Sequence, residues 1–114
     1  MALLVNMTEY LIKIVALELS GRLDVFEVPV LRKACDDLIE QGLVHLVFDL
    51  SRVEIIDSSG LAVLVGALKR TRMLNGDVRL IWPRSEAAAR VLKLTRFDQV
   101  FTSIEPSQII PREF

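Results

Sequence analysis

The chain has 114 residues, 52% of them hydrophobic and 25% charged, enough for one globular core and too few for two. Fourteen basic residues against fifteen acidic ones leave a net charge near −1, which excludes a bulk electrostatic pull toward nucleic acid or anionic membranes. A single cysteine, Cys35, cannot form an internal disulfide, and the apolar run from Leu61 to Leu68 falls far short of the roughly 20 residues that cross a bilayer. The opening Met1 to Val5 is apolar, but it lacks a basic lead-in and is soon interrupted by Asn6, Thr8 and Glu9, so it does not read as a signal peptide. The expectation is one soluble, cytoplasmic domain over residues 1–114, with no membrane insertion.

The stretch from about Leu3 to Ser20 is apolar and β-branched. Val15, Leu17 and Leu19 alternate with Ala16, Glu18 and Ser20, the period of a half-buried strand, and the upstream part has the composition of a second strand. Gly21-Arg22 is expected to end that strand. From about Val25 to Gln41, Leu31, Ala34, Cys35, Leu38 and Ile39 fall at helical spacing, with Pro29 tolerated in the first turn and Gly42 placed to close the helix. Leu43 to Leu50 reads as a strand buried on both faces, and Ser51-Arg52-Val53-Glu54 as a loop. Leu61, Leu64, Val65 and Leu68 then open a helix running to about Leu74 and stopped by Asn75-Gly76. Val78 to Trp82 is a short strand closed by Pro83, and Ser85 can cap a third helix through Leu94. Val100 and Phe101 suggest a last short strand. Pro106 and Pro111 discourage a long final helix in a tail that is irregular from about Glu105. Such alternation predicts an α/β fold: a mixed, partly parallel central sheet of about four to five strands with helices packed on it.

Asp57-Ser58-Ser59-Gly60 lies where an apolar strand meets the start of a periodic helix. A helix start carries unpartnered N–H groups and partial positive charge, and both stabilise an anion placed there. Asp and Ser are also good helix caps, so capping alone accounts for one of these residues. One cap suffices, which leaves the second hydroxyl available. Gly60 has no side chain and leaves room for a partner's backbone or a nucleotide to approach.

Three segments occur in order: Ser20-Gly21-Arg22-Leu23-Asp24, Val47-Phe48-Asp49-Leu50-Ser51, and Ile56-Asp57-Ser58-Ser59-Gly60-Leu61. Together they resemble the STAS domain of bacterial anti-sigma factor antagonists, from about Leu11 to Phe101. The resemblance implies that Ser59 is phosphorylated by a partner that is both serine kinase and anti-sigma factor. It also implies that the unphosphorylated form binds that partner and frees a sigma factor for transcription, and that a serine phosphatase resets the switch. Asp24 and Asp57 match the family's acidic residues beside the phosphorylated serine, so Asp24, Asp57, Ser58, Ser59 and Gly60 are the expected partner-binding residues. No cofactor and no direct nucleic-acid contact are implied, and a homodimer is allowed. The alternatives are a STAS subunit of a larger signalling or lipid-transport assembly, or a weak nucleotide-binding domain using the same turn. Two departures stand out: the proline-bearing tail, where the family commonly has a further helix, and Glu54, where it often has an uncharged residue.

Other chemistry finds little support. The only histidine, His45, sits in an apolar strand, and Ile56 and Asp57 occupy the positions where Gly-x-Ser-x-Gly needs glycine, so a serine hydrolase is disfavoured. Asp49 stands at a strand end like a receiver's phosphoacceptor, but Glu18 is isolated and Asp24 follows a glycine loop, so the early acidic cluster is missing. Cys35 and His45 lack metal-ligand spacing, and Cys35 falls on the apolar helix stripe. Neither a P-loop nor Gly-x-Gly-x-x-Gly occurs. Lys69, Arg70 and Arg72 suit a helix C-terminus, and Trp82 reads as a core or rim aromatic. Leu23, Val25 and Phe26 flank Asp24 as exposed apolar residues, which either meet a partner or close the first helix onto the sheet.

Overall fold

The alternating apolar residues at the start of the chain pair off as two antiparallel strands, β1 (Leu4–Glu9) and β2 (Ile14–Leu23), with Leu4 opposite Ser20 and Thr8 opposite Ala16. The structure, a computed structural model, describes residues 2–9 and 13–108. Then follow α1 (Val28–Glu40), β3 (His45–Ile56), α2 (Ser58–Met73), β4 (Asp77–Ile81), α3 (Glu86–Leu94), the short α4 (Phe97–Val100), β5 (Thr102–Ser103) and a 3-10 turn at Pro106–Gln108. The five strands lie in chain order across one sheet, and β2, β3, β4 and β5 run parallel. The mixed α/β fold is therefore as expected. Pro111 lies outside the described residues.

Right-handed crossovers that all step in one direction place their helices on one side of a sheet. The core follows that rule. Val15, Leu17, Leu19, Leu46, Phe48, Leu50 and Leu80 point to the side where Leu31, Leu64, Ala88 and Leu92 of the helices meet them. Ile14, Ala16, Val47 and Ile81 form a smaller cluster on the opposite face, with Ile104 packed against it. Ala16 is thus buried where simple alternation had placed it outside, because the lower half of β2 is covered on both faces. Among the described residues no helix is long and apolar enough to cross a membrane.

Two strand boundaries differ from the sequence reading. Gly21 adopts a left-handed φ of +105° yet does not end β2, and Ser51 to Glu54 are strand rather than loop. The pairing explains both. Ser20 aligns with Arg52, Gly21 with Val53 and Arg22 with Ile55, and two register shifts absorb the extra β3 residues as bulges. Only Val53 of the polar-looking stretch is buried, so hydrophobic pattern could not reveal a strand held by its backbone ladder. The last strand also moves. Val100 belongs to α4, and the ladder to β4 is made by Thr102 and Ser103.

Helix boundaries follow local chemistry. Pro29 sits in the first turn of α1. Its C-terminus closes with Gly42 at φ +80°, as Gly42 N–H donates to the Ile39 carbonyl and Leu43 N–H to the Leu38 carbonyl. In α2 the left-handed position is taken by Asn75 at φ +63°. The glycine after it serves a different need: a Cβ on Gly76 would lie 2.1 Å from the Val44 carbonyl oxygen. Ser85 caps α3 as expected, accepting from Ala88 N–H at 3.3 Å, and its hydroxyl donates to the Glu54 carbonyl at 2.7 Å. The basic run at the end of α2 is largely engaged: Arg70 pairs with Asp36 and Arg72 with Asp77. Cys35 lies in the core; burial, with the Asp36 charge beside it, pushes its thiol up to about 12, so it stays protonated and unreactive at neutral pH.

Candidate functional site

The strand-to-helix turn after β3 is built by Asp57. Its backbone is extended (φ −108°, ψ −177°), the geometry of a residue that precedes a helix and caps it. One carboxylate oxygen, Oδ1, accepts from Gly60 N–H at 3.0 Å. The other, Oδ2, accepts from Val25 N–H at 3.0 Å, in the loop between β2 and α1. The Asp57 N–H in turn donates to the Leu23 carbonyl at 3.2 Å. One side chain therefore starts α2 and fastens it to the neighbouring loop.

This arrangement leaves both serines out of the cap. The cap is Asp57, not a serine, so neither hydroxyl is committed to starting the helix. Ser58 is exposed and Ser59 half-buried, on the first two positions of α2. The N–H groups of those two positions have no partner within the helix, and the helix dipole adds partial positive charge at this end.

Gly60 is buried, and the space left by its missing side chain is filled from within the chain. A Cβ there would lie 2.5 Å from the Leu23 carbonyl oxygen, 2.8 Å from Leu23 Cγ and 3.3 Å from Ile56 Cγ2. The room expected for a partner at Gly60 is taken by Leu23. Leu23 itself is fully buried, not exposed as its place beside Asp24 had suggested, because α2 starts directly on top of it. Val25 and Phe26 are the exposed members of that trio.

Asp24 is brought to the same end of the sheet through its loop's bonds to Asp57. Its own carboxylate is used locally. Oδ1 accepts from Phe26 N–H at 3.1 Å and Glu27 N–H at 3.2 Å, and Oδ2 accepts from Arg22 Nε at 3.0 Å. Its carbonyl accepts from Glu27 and Val28 N–H, which begins α1. Asp24 therefore organises the loop. Burial pushes its carboxyl pKa up, but the Arg22 hydrogen bond, the two backbone donors and the Arg22 charge outweigh this and hold it below the ordinary 3.8. A depressed carboxyl pKa adds stability that is complete above the ordinary value and disappears as pH falls through the lower, folded one. Acid titration of unfolding from about pH 5 to about pH 2 is expected to destabilise the wild type more steeply than Asp24→Asn. Parallel pH profiles would remove this role.

Arg22 and Glu27 complete the loop and were not singled out in the sequence. Arg22 holds Asp24, and the Glu27 carboxylate accepts from Leu3 N–H at 3.2 Å, tying the start of the chain to the same corner. Arg22 stands inside the Ser20–Asp24 segment, two residues from the acid it pairs with, a local signal that spacing carried. Glu27 needed the antiparallel return of β1 to meet its partner. His45 is half-buried at the start of β3, and Asp49 spends Oδ1 on Ser51 N–H at 2.9 Å.

The chain is 36% identical over 66 residues to the anti-sigma-B factor antagonist of Bacillus subtilis, covering 58% of this chain and 60% of that relative, so it spans about three fifths of the relative's length. The crystal structure of an anti-sigma factor antagonist from Mycobacterium paratuberculosis superposes with a TM-score of 0.78 at 25% identity, covering 91% of this chain and 86% of that one. The Bacillus cell fate determinant in its phosphorylated form shares the fold, with a TM-score of 0.74 at 21% identity over 96% of this chain and 98% of that one. The family profile of the STAS domain matches residues 7–108, and this chain belongs to the STAS domain family.

Proposed function

We propose that the chain is an anti-sigma factor antagonist, a binding protein rather than an enzyme, switched by phosphorylation at Ser59. The observation that carries this is the division of labour at the start of α2. Asp57 supplies the cap, leaving two serine hydroxyls at a helix start. Asp24, Asp57, Ser58 and Ser59 make up the partner-binding end, with Gly60 setting the height of α2 above Leu23.

The partner is an anti-sigma factor with serine kinase activity, met in the cytoplasm, and a serine phosphatase reverses the modification. A phosphoryl group carries about −1.5 to −2 charges near neutral pH. At Ser59 it lies over the positive end of α2, which accommodates it without melting the helix, and next to the Asp57 carboxylate. A surface met as a neutral hydroxyl becomes densely anionic, and desolvating that charge opposes binding.

The test is to incubate the purified chain with ATP and the anti-sigma kinase of its own bacterium and to map phosphate by mass spectrometry. Phosphate at Ser59 is the expected result. Phosphate at Ser58 alone moves the switch by one residue. No phosphate at either serine, with the chain recovered from cells in a membrane-transport complex, supports the alternative of a subunit in a larger assembly.

A further inference from the structure

We propose that Val25 and Phe26 are the apolar anchor of the partner interface, and that affinity and switching reside in separate residues of one surface. This rests on the reading of the chain as an anti-sigma factor antagonist. Phe26 is 85% exposed, Val25 56% and Val30 49%. Single apolar residues scattered over a surface need no explanation, but Val25 and Phe26 are adjacent in one loop and together make a small exposed apolar patch.

The patch is held still. Phe26 N–H is bonded to Asp24 Oδ1 and Val25 N–H to Asp57 Oδ2, so the loop's donors fix the backbone while its side chains face solvent. Side chains presented on a fixed backbone lose little freedom on binding, and an exposed phenyl ring is of the residue class enriched at interface cores. The bond from Val25 to Asp57 joins the patch to the residue that precedes Ser58 and Ser59, so anchor and phosphoacceptor are parts of one surface. The complementary surface is an apolar pocket wide enough for a phenyl ring on the anti-sigma kinase. The same pocket would engage the chain both for sequestration and for phosphorylation.

The experiment compares Phe26→Ala, Phe26→Tyr and Ser59→Asp for binding to the purified anti-sigma kinase by calorimetry, with circular dichroism and thermal melts as the folding control. Phe26→Ala is expected to bind about 10- to 100-fold more weakly while melting like the wild type, and Phe26→Tyr to retain most of the affinity. In the phosphorylation assay Phe26→Ala is expected to raise KM far more than it lowers kcat, because the side chain docks the substrate and does not touch the reacting hydroxyl. Binding by Phe26→Ala within twofold of wild type, with Ser59→Asp still weakened, overturns the anchor and leaves the switch standing. Unaltered binding by Ser59→Asp, with Phe26→Ala weakened, overturns the switch and keeps the anchor.

Discussion

Ser59→Ala is expected to bind the anti-sigma partner as tightly as the unphosphorylated protein, whereas Ser59→Asp binds it at least about tenfold more weakly, and the phosphorylated protein more than a hundredfold. The alanine variant removes a hydroxyl that takes no part in capping α2, so neither fold nor surface charge changes. The aspartate variant adds one negative charge, and the phosphate adds nearly two. If desolvating the phosphate against a partner surface that offers it no cation costs about 3 kcal/mol, affinity falls by more than two decades at 1.4 kcal/mol per decade. Titration calorimetry with the purified partner measures all three. Equal affinities for wild type, alanine and aspartate forms would show that charge at Ser59 does not control the interface.

Gly60→Ala is expected to destabilise the fold by about 2–3 kcal/mol, although alanine ordinarily favours a helix over glycine by about 1 kcal/mol. The new Cβ would stand 2.5 Å from a backbone carbonyl oxygen, that of Leu23, which also receives the Asp57 N–H. That oxygen cannot withdraw without loosening the bond that seats α2, so the strain has no inexpensive outlet. Gly66 is the internal control. It lies in the same helix, and a Cβ there meets nothing within 4 Å, so Gly66→Ala is expected to stabilise by up to about 1 kcal/mol. Urea denaturation of the two variants should give shifts of opposite sign. Shifts of the same sign would mean that the contact between Gly60 and Leu23 is not what holds α2 down.

The main elements were legible because their burial is one-sided or complete. Leu31, Cys35 and Leu38 mark the inner face of α1, and Leu46, Val47 and Phe48 leave no outer face in the middle of β3. The far end of β3 was not legible, because Ser51, Arg52 and Glu54 have loop composition while Arg52, Val53 and Ile55 pair with a β2 that runs on past Gly21. At the candidate site, residue types were readable but assignments were not. Asp57, Ser58 and Ser59 are all competent caps, and only the reach of Asp57 to both Gly60 and Val25 decides among them. Gly60 was recognisable as a position of close approach, but what approaches it is a buried leucine 37 residues earlier, a contact that local pattern does not encode. That the Asp24 loop meets Asp57 came only from family resemblance, since it depends on β2 and β3 being adjacent parallel strands.

The cap made by Asp57 also bears on timing. Because Asp57 secures the helix start, the proposed addition or removal of a phosphoryl group at Ser59 requires no turn to unwind and no cap to be exchanged. A chain switched in this way contributes no slow refolding step of its own. Under the proposed switch, the lifetime of each signalling state would be set by the relative rates of kinase and phosphatase, and not by the folding of this chain.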